Sequence, residues 1–336
     1  MQYEVRRVTN ERELSKVRAF LEQMELTFDE GVDTVFALFD DDKIIGSASR
    51  EANTLKCIAL LREYQGEGLL NKLMSALIQD AFANGLTHLF LFTKPKNKAI
   101  FKDFLFYPIV ETKEVLLMEN KRDGIKNYIK RLQEESLKAE GVRGSIIMHA
   151  NPFTLGHRYL IESALKECDT LHLFVLSKGK NDIPFEIRYN LVKEGIKDLK
   201  RVILHESEDY LISPITFPTY FIKDKDRAES INAALDIKIF ATLIAPSLNI
   251  TKRFVGTEPF STGTKLYNEE LKKALPLYNI ELIEIERLKS GDREISATEV
   301  RALLEKKEFE KLKALVPPST YSYVISALCS VLTEKL

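Results

Sequence analysis

Cysteine is scarce: Cys57, Cys168 and Cys329 are the only three in 336 residues, and no two stand at C-x-x-C spacing. An odd count without a framework excludes a disulfide-stapled scaffold and fits a reducing compartment, so a cytoplasmic location is expected. The three thiols read as small buried hydrophobes rather than nucleophiles. Long apolar runs are missing as well, since no stretch approaches the roughly 18 residues that cross a bilayer. The opening Met-Gln-Tyr-Glu-Val-Arg-Arg carries charge where a signal peptide needs its apolar core. No membrane partner is therefore expected. Nor is there an excess of either charge: 49 Lys and Arg against 50 Asp and Glu leave a formal net charge of −1. With no whole-chain field, nucleic acid is not an expected partner, and any anion site must be local. Internal repeats and low-complexity tracts are absent.

What is present is an ordinary globular composition, 45% hydrophobic and 29% charged. The length suits two domains, because a single core stops growing at about 250–300 residues. Strands are expected at Tyr3 to Val8, Thr34 to Phe39, Lys43 to Ser49 and Leu55 to Leu60, with a helix through Glu11 to Glu25 and a hairpin at Asp40-Asp41-Asp42. Gln65-Gly66-Glu67-Gly68 then opens an amphipathic helix, Leu69 to Ala83, followed by a strand from Thr87 to Thr93. A charged helical stretch from Asp123 to Gly141 reads as a linker, so domains 1–140 and 141–336 are expected. Beyond it, strands at Ser145 to His149, Thr170 to Leu176, Arg201 to His205, Arg253 to Gly256 and Ile280 to Glu284 alternate with helices. That alternation predicts an α/β, Rossmann-like parallel sheet with ligands at the carboxyl ends of its strands.

The segment Gly144 to His149 runs as a strand into Ala150-Asn151-Pro152-Phe153-Thr154-Leu155-Gly156-His157 and then an apolar helix. Pro152 and Gly156 shape the turn, and Thr154 and His157, three apart, can face one ligand. The free N–H groups and partial positive charge of a helix N-terminus suit a phosphate there. The plainer reading is a Thr154 N-cap with His157 as a surface first-turn residue. His149, at the end of the strand, reaches toward the same crevice, beside a purely structural reading of that residue.

T-x-G-H after a strand and Asn-Pro-Phe resembles the (H/T)-x-G-H signature of the nucleotidyltransferase superfamily. Its partner signature, I-S-x-T-x-x-R, is matched by Ile295-Ser296-Ala-Thr298-Glu-Val-Arg301, again at a helix start. Ser296 and Thr298 can cap that helix and bond phosphate oxygens, and Arg301 supplies a planar donor fork. The superfamily often keeps a phosphate-binding arginine where Arg188 stands, with Lys178 and Lys180 on the preceding loop. A solvated basic loop is the alternative. Gly256-Thr-Glu258-Pro follows a strand at its carboxyl end, where the backbone can hold an adenine edge and Glu258 a ribose or metal-bound water, or where it is a plain turn.

Across its length the chain resembles the citrate (pro-3S)-lyase ligase family, also called citrate lyase synthetase. The resemblance rests on Asn151 to Glu162, the Phe185 to Gly195 helix, Ile215 to Phe221, and Val255 to Phe260 followed by Tyr267-Asn268. It implies a GNAT-like acetyltransferase-type N-terminal domain joined to a nucleotidyltransferase domain. Such N-terminal domains bind a CoA pyrophosphate on Q/R-x-x-G-x-G/A; here Gln65 and Gly68 match, Gly66 stands between them, and Leu70 replaces the last small residue. Binding of a CoA-like arm, rather than acetyl transfer from CoA, is the expectation.

The resemblance also implies the reaction. Acetate is activated with ATP, and the acetyl group passes to the thiol of the CoA-like prosthetic group on the acyl-carrier subunit of citrate lyase, releasing AMP and pyrophosphate. A carboxylate is already ionised at pH 7, so its attack on the α-phosphorus needs no base. His157, Thr154 and Arg301 would act on the phosphates, Asn151, Pro152, Phe153, Gly156, Ser296 and Thr298 would line the ATP, and Mg²⁺ would bridge the phosphates. Two other readings are a simple adenylyltransferase acting on a phosphate such as phosphopantetheine, and a CoA- or nucleotide-binding sensor.

Overall fold

The computed structural model describes residues 3–179, 183–211, 220–222, 225–258, 261–291 and 293–333. The chain divides into two compact units, Met1–Lys126 with Phe217–Leu235, and Asn127–Thr216 with Asp236–Leu336. A stretch from the second half of the sequence thus belongs with the first half, which no composition shift announces. Tyr220 anchors it: its carbonyl accepts from Thr27 N–H at 2.8 Å and its hydroxyl donates to Phe92 O at 3.1 Å.

The first unit contains β1 (Tyr3–Arg7), α1 (Glu11–Gln23), β2 (Thr34–Asp40), β3 (Lys43–Glu51), β4 (Thr54–Leu60), α2 (Leu69–Ala83), β5 (Phe90–Thr93), α3 (Lys98–Asp103), β6 (Tyr107–Glu111) and β7 (Leu116–Glu119). They build a seven-stranded sheet in the order β1-β2-β3-β4-β5-β7-β6. The β2–β3 turn works because Asp41 takes φ 50°, a left-handed conformation that short polar side chains tolerate. Leu69, Leu73, Met74, Leu77 and Ala81 form the buried stripe of α2, the helical period that packs a helix on a sheet. β4 and β5 run parallel but pair only at Thr54–Phe90 and Leu55–Leu91. The carboxyl half of β4 borders a cavity of about 780 Å³.

The remaining elements are α4 (Gly124–Glu135), β8 (Arg143–Met148), α5 (Leu155–Ala164), β9 (Thr170–Val175), α6 (Phe185–Gly195), β10 (Val202–Glu206), α7 (Lys225–Ile239), α8 (Ala245–Ser247), β11 (Ile250–Gly256), α9 (Thr262–Ala274), β12 (Glu281–Ile285), the short pair β13 (Lys289–Ser290) and β14 (Arg293–Glu294), α10 (Ala297–Glu305), α11 (Phe309–Lys313) and α12 (Pro318–Thr333). A π-helical turn, Phe240–Ile244, joins α7 to α8. The second sheet is parallel throughout, ordered β10-β9-β8-β11-β12. All six residues of β9 are buried, as a strand covered on both faces requires. From β8 the chain builds outward to β10, then returns to the other side of β8 with β11 and β12. That reversal leaves a crevice at the carboxyl ends of β8 and β11. Among the described residues no helix is long and apolar enough to cross a membrane.

Candidate active site

The loop after β8 is shaped by what holds its backbone. Arg188, 1% exposed on α6, donates to the carbonyls of His149, Leu176 (2.9 Å), Ser177 (3.3 Å) and Ile183 (3.0 Å). Asn151 Oδ1 accepts from Ile183 N–H at 3.3 Å, and Phe153 O accepts from Thr320 Oγ1 at 2.8 Å. Leu155 N–H reaches Leu315 O at 2.9 Å, so the C-terminal helices brace the start of α5. Phe153 is fully buried, and its ring stacks on His157 with centroids 5.9 Å apart.

Thr154 is the N-cap of α5, and its Oγ1 accepts from His157 N–H at 3.2 Å. The imidazole completes the capping box: Nδ1 lies 3.1 Å from the Thr154 N–H it accepts from and 2.9 Å from Thr154 Oγ1. A nitrogen that accepts a backbone N–H carries no proton, which puts the ring proton on Nε2. Burial pushes the His157 pKa down to about 4, and the positive charge of Arg287 and the neighbouring His149 add to it. At neutral pH the residue is therefore an oriented neutral donor. The plainer reading of Thr154 as an N-cap is correct, and the same geometry fixes His157 in one tautomer.

The second signature arrives beside the first. Ser296 caps α10, accepting from Glu299 N–H at 3.1 Å. A Cβ on Gly156 would lie 3.1 Å from Ile295 O, so a side chain there would push the two helix starts apart. Arg301 Nη1 donates to Asn151 O at 2.7 Å and Nη2 to Thr298 Oγ1 at 3.2 Å, tying α10 to the β8 loop. The resulting crevice, about 350 Å³, is lined among others by His149, Thr154, Gly156, His157, Gly256, Glu258 and Ser296. Two helix N-termini meet there, each carrying the free N–H groups and partial positive charge that favour an anion.

Several expected site residues stand elsewhere. Arg188 is not presented to a phosphate, because its donors are spent on carbonyls inside the protein. Lys178 pairs with Asp209 at 2.6 Å, and Lys180 lies outside the described residues, as do Pro259 and Phe260. Glu258 lines the crevice, but its carboxylate is ion-paired with Arg287 and accepts from Ser261 N–H at 3.0 Å. Asn151, Pro152, Phe153, Thr298 and Arg301 lie outside the lining and form its frame. His149 lines it, with Nδ1 buried and unpartnered and a pKa lowered to about 4 by burial and by the charge of Arg188. Arg253 and Arg287 also line it and were not singled out from the sequence. A charge inside a strand expected to be covered on both faces is the signal that would have found Arg253.

Cys57 and Cys168 are buried free thiols, both raised in pKa mainly by burial, Cys57 to about 12. The Cys329 side chain lies outside the described residues. In the first unit, Gln65, Gly66 and Gly68 border the larger cavity at the start of α2. Gly66 and Gly68 take φ 91° and 72°, conformations that suit glycine, and a Cβ on either would meet open space.

A model of the citrate lyase ligase C-terminal domain matches residues 143–324. Three curated relatives extend the likeness over nearly the whole chain. The citrate (pro-3S)-lyase ligase of Klebsiella pneumoniae is 37% identical over 311 residues, 91% of each chain. That of Escherichia coli strain K12 is 37% identical over 330 residues, 96% of this chain and 93% of the relative. That of Haemophilus influenzae is 36% identical over 336 residues, 96% of this chain and 98% of the relative. The chain belongs to the citrate lyase ligase family. A GNAT acetyltransferase model matches residues 3–101, so this ligase-family chain carries a GNAT-type unit ahead of its nucleotidyltransferase-like sheet.

Proposed function

We propose that this ligase activates acetate with ATP in the β8–β11 crevice and transfers the acetyl group to the thiol of the CoA-like prosthetic group on the citrate lyase acyl-carrier subunit. An acetate oxygen attacks the α-phosphorus, forming acetyl-AMP and expelling pyrophosphate. The carrier thiol then attacks the acetyl carbonyl, and AMP leaves with the electron pair of the acyl–oxygen bond. The observation that carries this reading is the meeting of the Thr154–His157 capping box with the Ser296 cap at one crevice. His157 Nε2–H and the N–H groups of the two helix starts donate to charge that develops on the phosphates, as phosphoryl transfer requires. No base is needed for the first step, because the nucleophile is already an anion.

Mg²⁺ is assigned to the nucleotide and not to a protein cage. Among the described residues no three His, Cys, Asp or Glu side chains cluster as metal ligands, and the carboxylate in the crevice, Glu258, is paired with Arg287. Bound with the nucleotide, the ion would supply positive charge that neutralises the phosphates. We place the reaction in the cytoplasm, a reading supported by the free thiols of Cys57 and Cys168.

The test is acetate-dependent ATP–pyrophosphate exchange across a panel of short carboxylates and phosphopantetheine. Exchange driven by acetate and lost in His157→Ala supports the reading, whereas exchange driven by phosphopantetheine overturns it. The cavity at Gln65, Gly66 and Gly68 is proposed to receive the arm of the carrier. Gly68→Glu should then impair carrier acetylation while leaving exchange intact, and an equal loss of both rules this out.

A further inference from the structure

Arg253 sits on β11 in register with Ser145 of β8 and Leu282 of β12, in the middle of the sheet. It is 3% exposed, yet its Nε and Nη1 have no hydrogen-bond partner. The guanidinium carbon lies 4.8 Å over the Phe240 ring, which occupies one of its faces and supplies no hydrogen-bond acceptor. Nearby, the Tyr267 hydroxyl donates to Asp236 Oδ2 at 2.5 Å. A buried guanidinium with unmade bonds is costly, and native interiors satisfy the large majority of such groups. Burial lowers its pKa against the opposite pull of the neighbouring Tyr267 and Asp236, so the group has charge neighbours but not hydrogen-bond partners for Nε and Nη1. The same residue lines the crevice that His157 lines, and so does His149, whose Nδ1 is likewise buried without a partner. Two residues with unsatisfied polar groups, one on β11 and one just past the end of β8, therefore line one crevice.

We infer that Arg253, with His149 beside it, is the receptor for the carboxylate of the acid substrate, an inference that rests on the acid-activating reading above. The two helix N-termini at the mouth are matched to phosphates, which leaves the arginine to a different anion. A planar donor fork complements a single carboxylate, and it stands on the same crevice as the helix starts that are matched to the phosphates. Arg253 holds the acid with one carboxylate oxygen directed at the α-phosphorus, and the substrate supplies the bonds that its Nε and Nη1 lack within the protein.

The experiment measures KM for acetate and for ATP separately in the exchange reaction, for Arg253→Met and Arg253→Lys, together with binding of carbon-13 acetate to each protein by NMR. The expected result for Arg253→Met is a rise in acetate KM of about 10- to 100-fold, the loss that follows removal of a charge-assisted bond, with ATP KM changed less than about twofold. Arg253→Lys should fall between wild type and Arg253→Met. The melting temperature of Arg253→Met should change little, because no hydrogen bond of Nε or Nη1 within the protein is removed and the methionine still packs on Phe240. A parallel rise in both KM values, or an unchanged acetate KM with a lowered melting temperature, overturns the inference. Saturable acetate binding that is equal in wild type and Arg253→Met overturns it while leaving the proposed function standing. Absence of both acetate binding and acetate-dependent exchange in wild type overturns both.

Discussion

At the scale of single residues, His157 and Arg188 show how similar polar side chains near one loop do opposite kinds of work. His157 is held by three contacts to Thr154, and its lowered pKa of about 4 keeps it neutral throughout the working range. The exchange rate should therefore show no inflection near the ordinary histidine value of 6.5 between about pH 5 and 8. A pH profile of wild type against His157→Asn checks this, and an inflection near 6.5 present only in wild type contradicts it. Loss of the donor in His157→Ala should cost exchange ~100- to 1,000-fold, the range for removing one oriented donor to developing charge, and only about 1–2 kcal/mol of stability as the Thr154 N–H loses its acceptor. Arg188→Met should weigh the other way, mainly on stability. It leaves the carbonyls of His149, Leu176, Ser177 and Ile183 buried and short of donors, at about 3–5 kcal/mol. Urea midpoints for the two variants, set beside their exchange rates, separate the roles.

At the scale of elements, α5 and α6 approach so closely that the end of α6 touches the loop that positions His157. A Cβ on Gly195 would stand 2.5 Å from Phe153 Cε1, and Phe153 stacks on the imidazole. Arg158 of α5 closes the same contact from the other side, reaching Gly195 O at 2.5 Å and Asp198 at 2.9 and 2.6 Å. Gly195→Ala should thus cost about 1–3 kcal/mol, the usual penalty of overpacking, and lower exchange by tilting the ring behind His157. Gly256→Ala is the control, since its Cβ meets nothing within 4 Å and thermal unfolding should not move. Elements with a clear period were legible in the sequence: α2 was expected and found at Leu69–Ala83, and each parallel strand falls within a few residues of its expected place. The two helix-start signatures were legible because capping is a local matter of spacing. What was not legible depends on contacts between distant residues. Arg188 looked like a phosphate ligand until its carbonyl partners were known. Arg301 looked like a free fork until Asn151 O was found against it, and nothing local in Tyr220 says that it anchors to Thr27 and Phe92.

For the whole molecule, the five histidines are unevenly shared, with His88 in the first unit and His149, His157, His172 and His205 in the second. Burial drives His149 and His157 down to about 4 and His172 to about 3, with Arg188 adding at the first, Arg287 and His149 at the second, and His205 and Arg143 at the third. Each of these rings titrates near 6.5 once unfolded. Below that pH the unfolded chain binds protons that the folded one refuses, so the stability they contribute is complete above about 6.5 and is lost as the pH falls toward 4. Each group changes the slope by at most about 1.4 kcal/mol per pH unit. Glu206, raised by burial, works in the opposite direction, but it is one group against three. Acidification from neutral pH should consequently weaken the second unit first. Hydrogen exchange followed by mass spectrometry at pH 7 and at pH 5, corrected for intrinsic exchange rates, should show protection falling across β8 and β9 while β2 and β3 keep theirs. Equal loss in both sheets would mean that acid acts through groups other than these histidines. Double replacement of His149 and His172 by Gln should flatten the pH dependence of the second unit while leaving the first unchanged, because only the titrating groups differ.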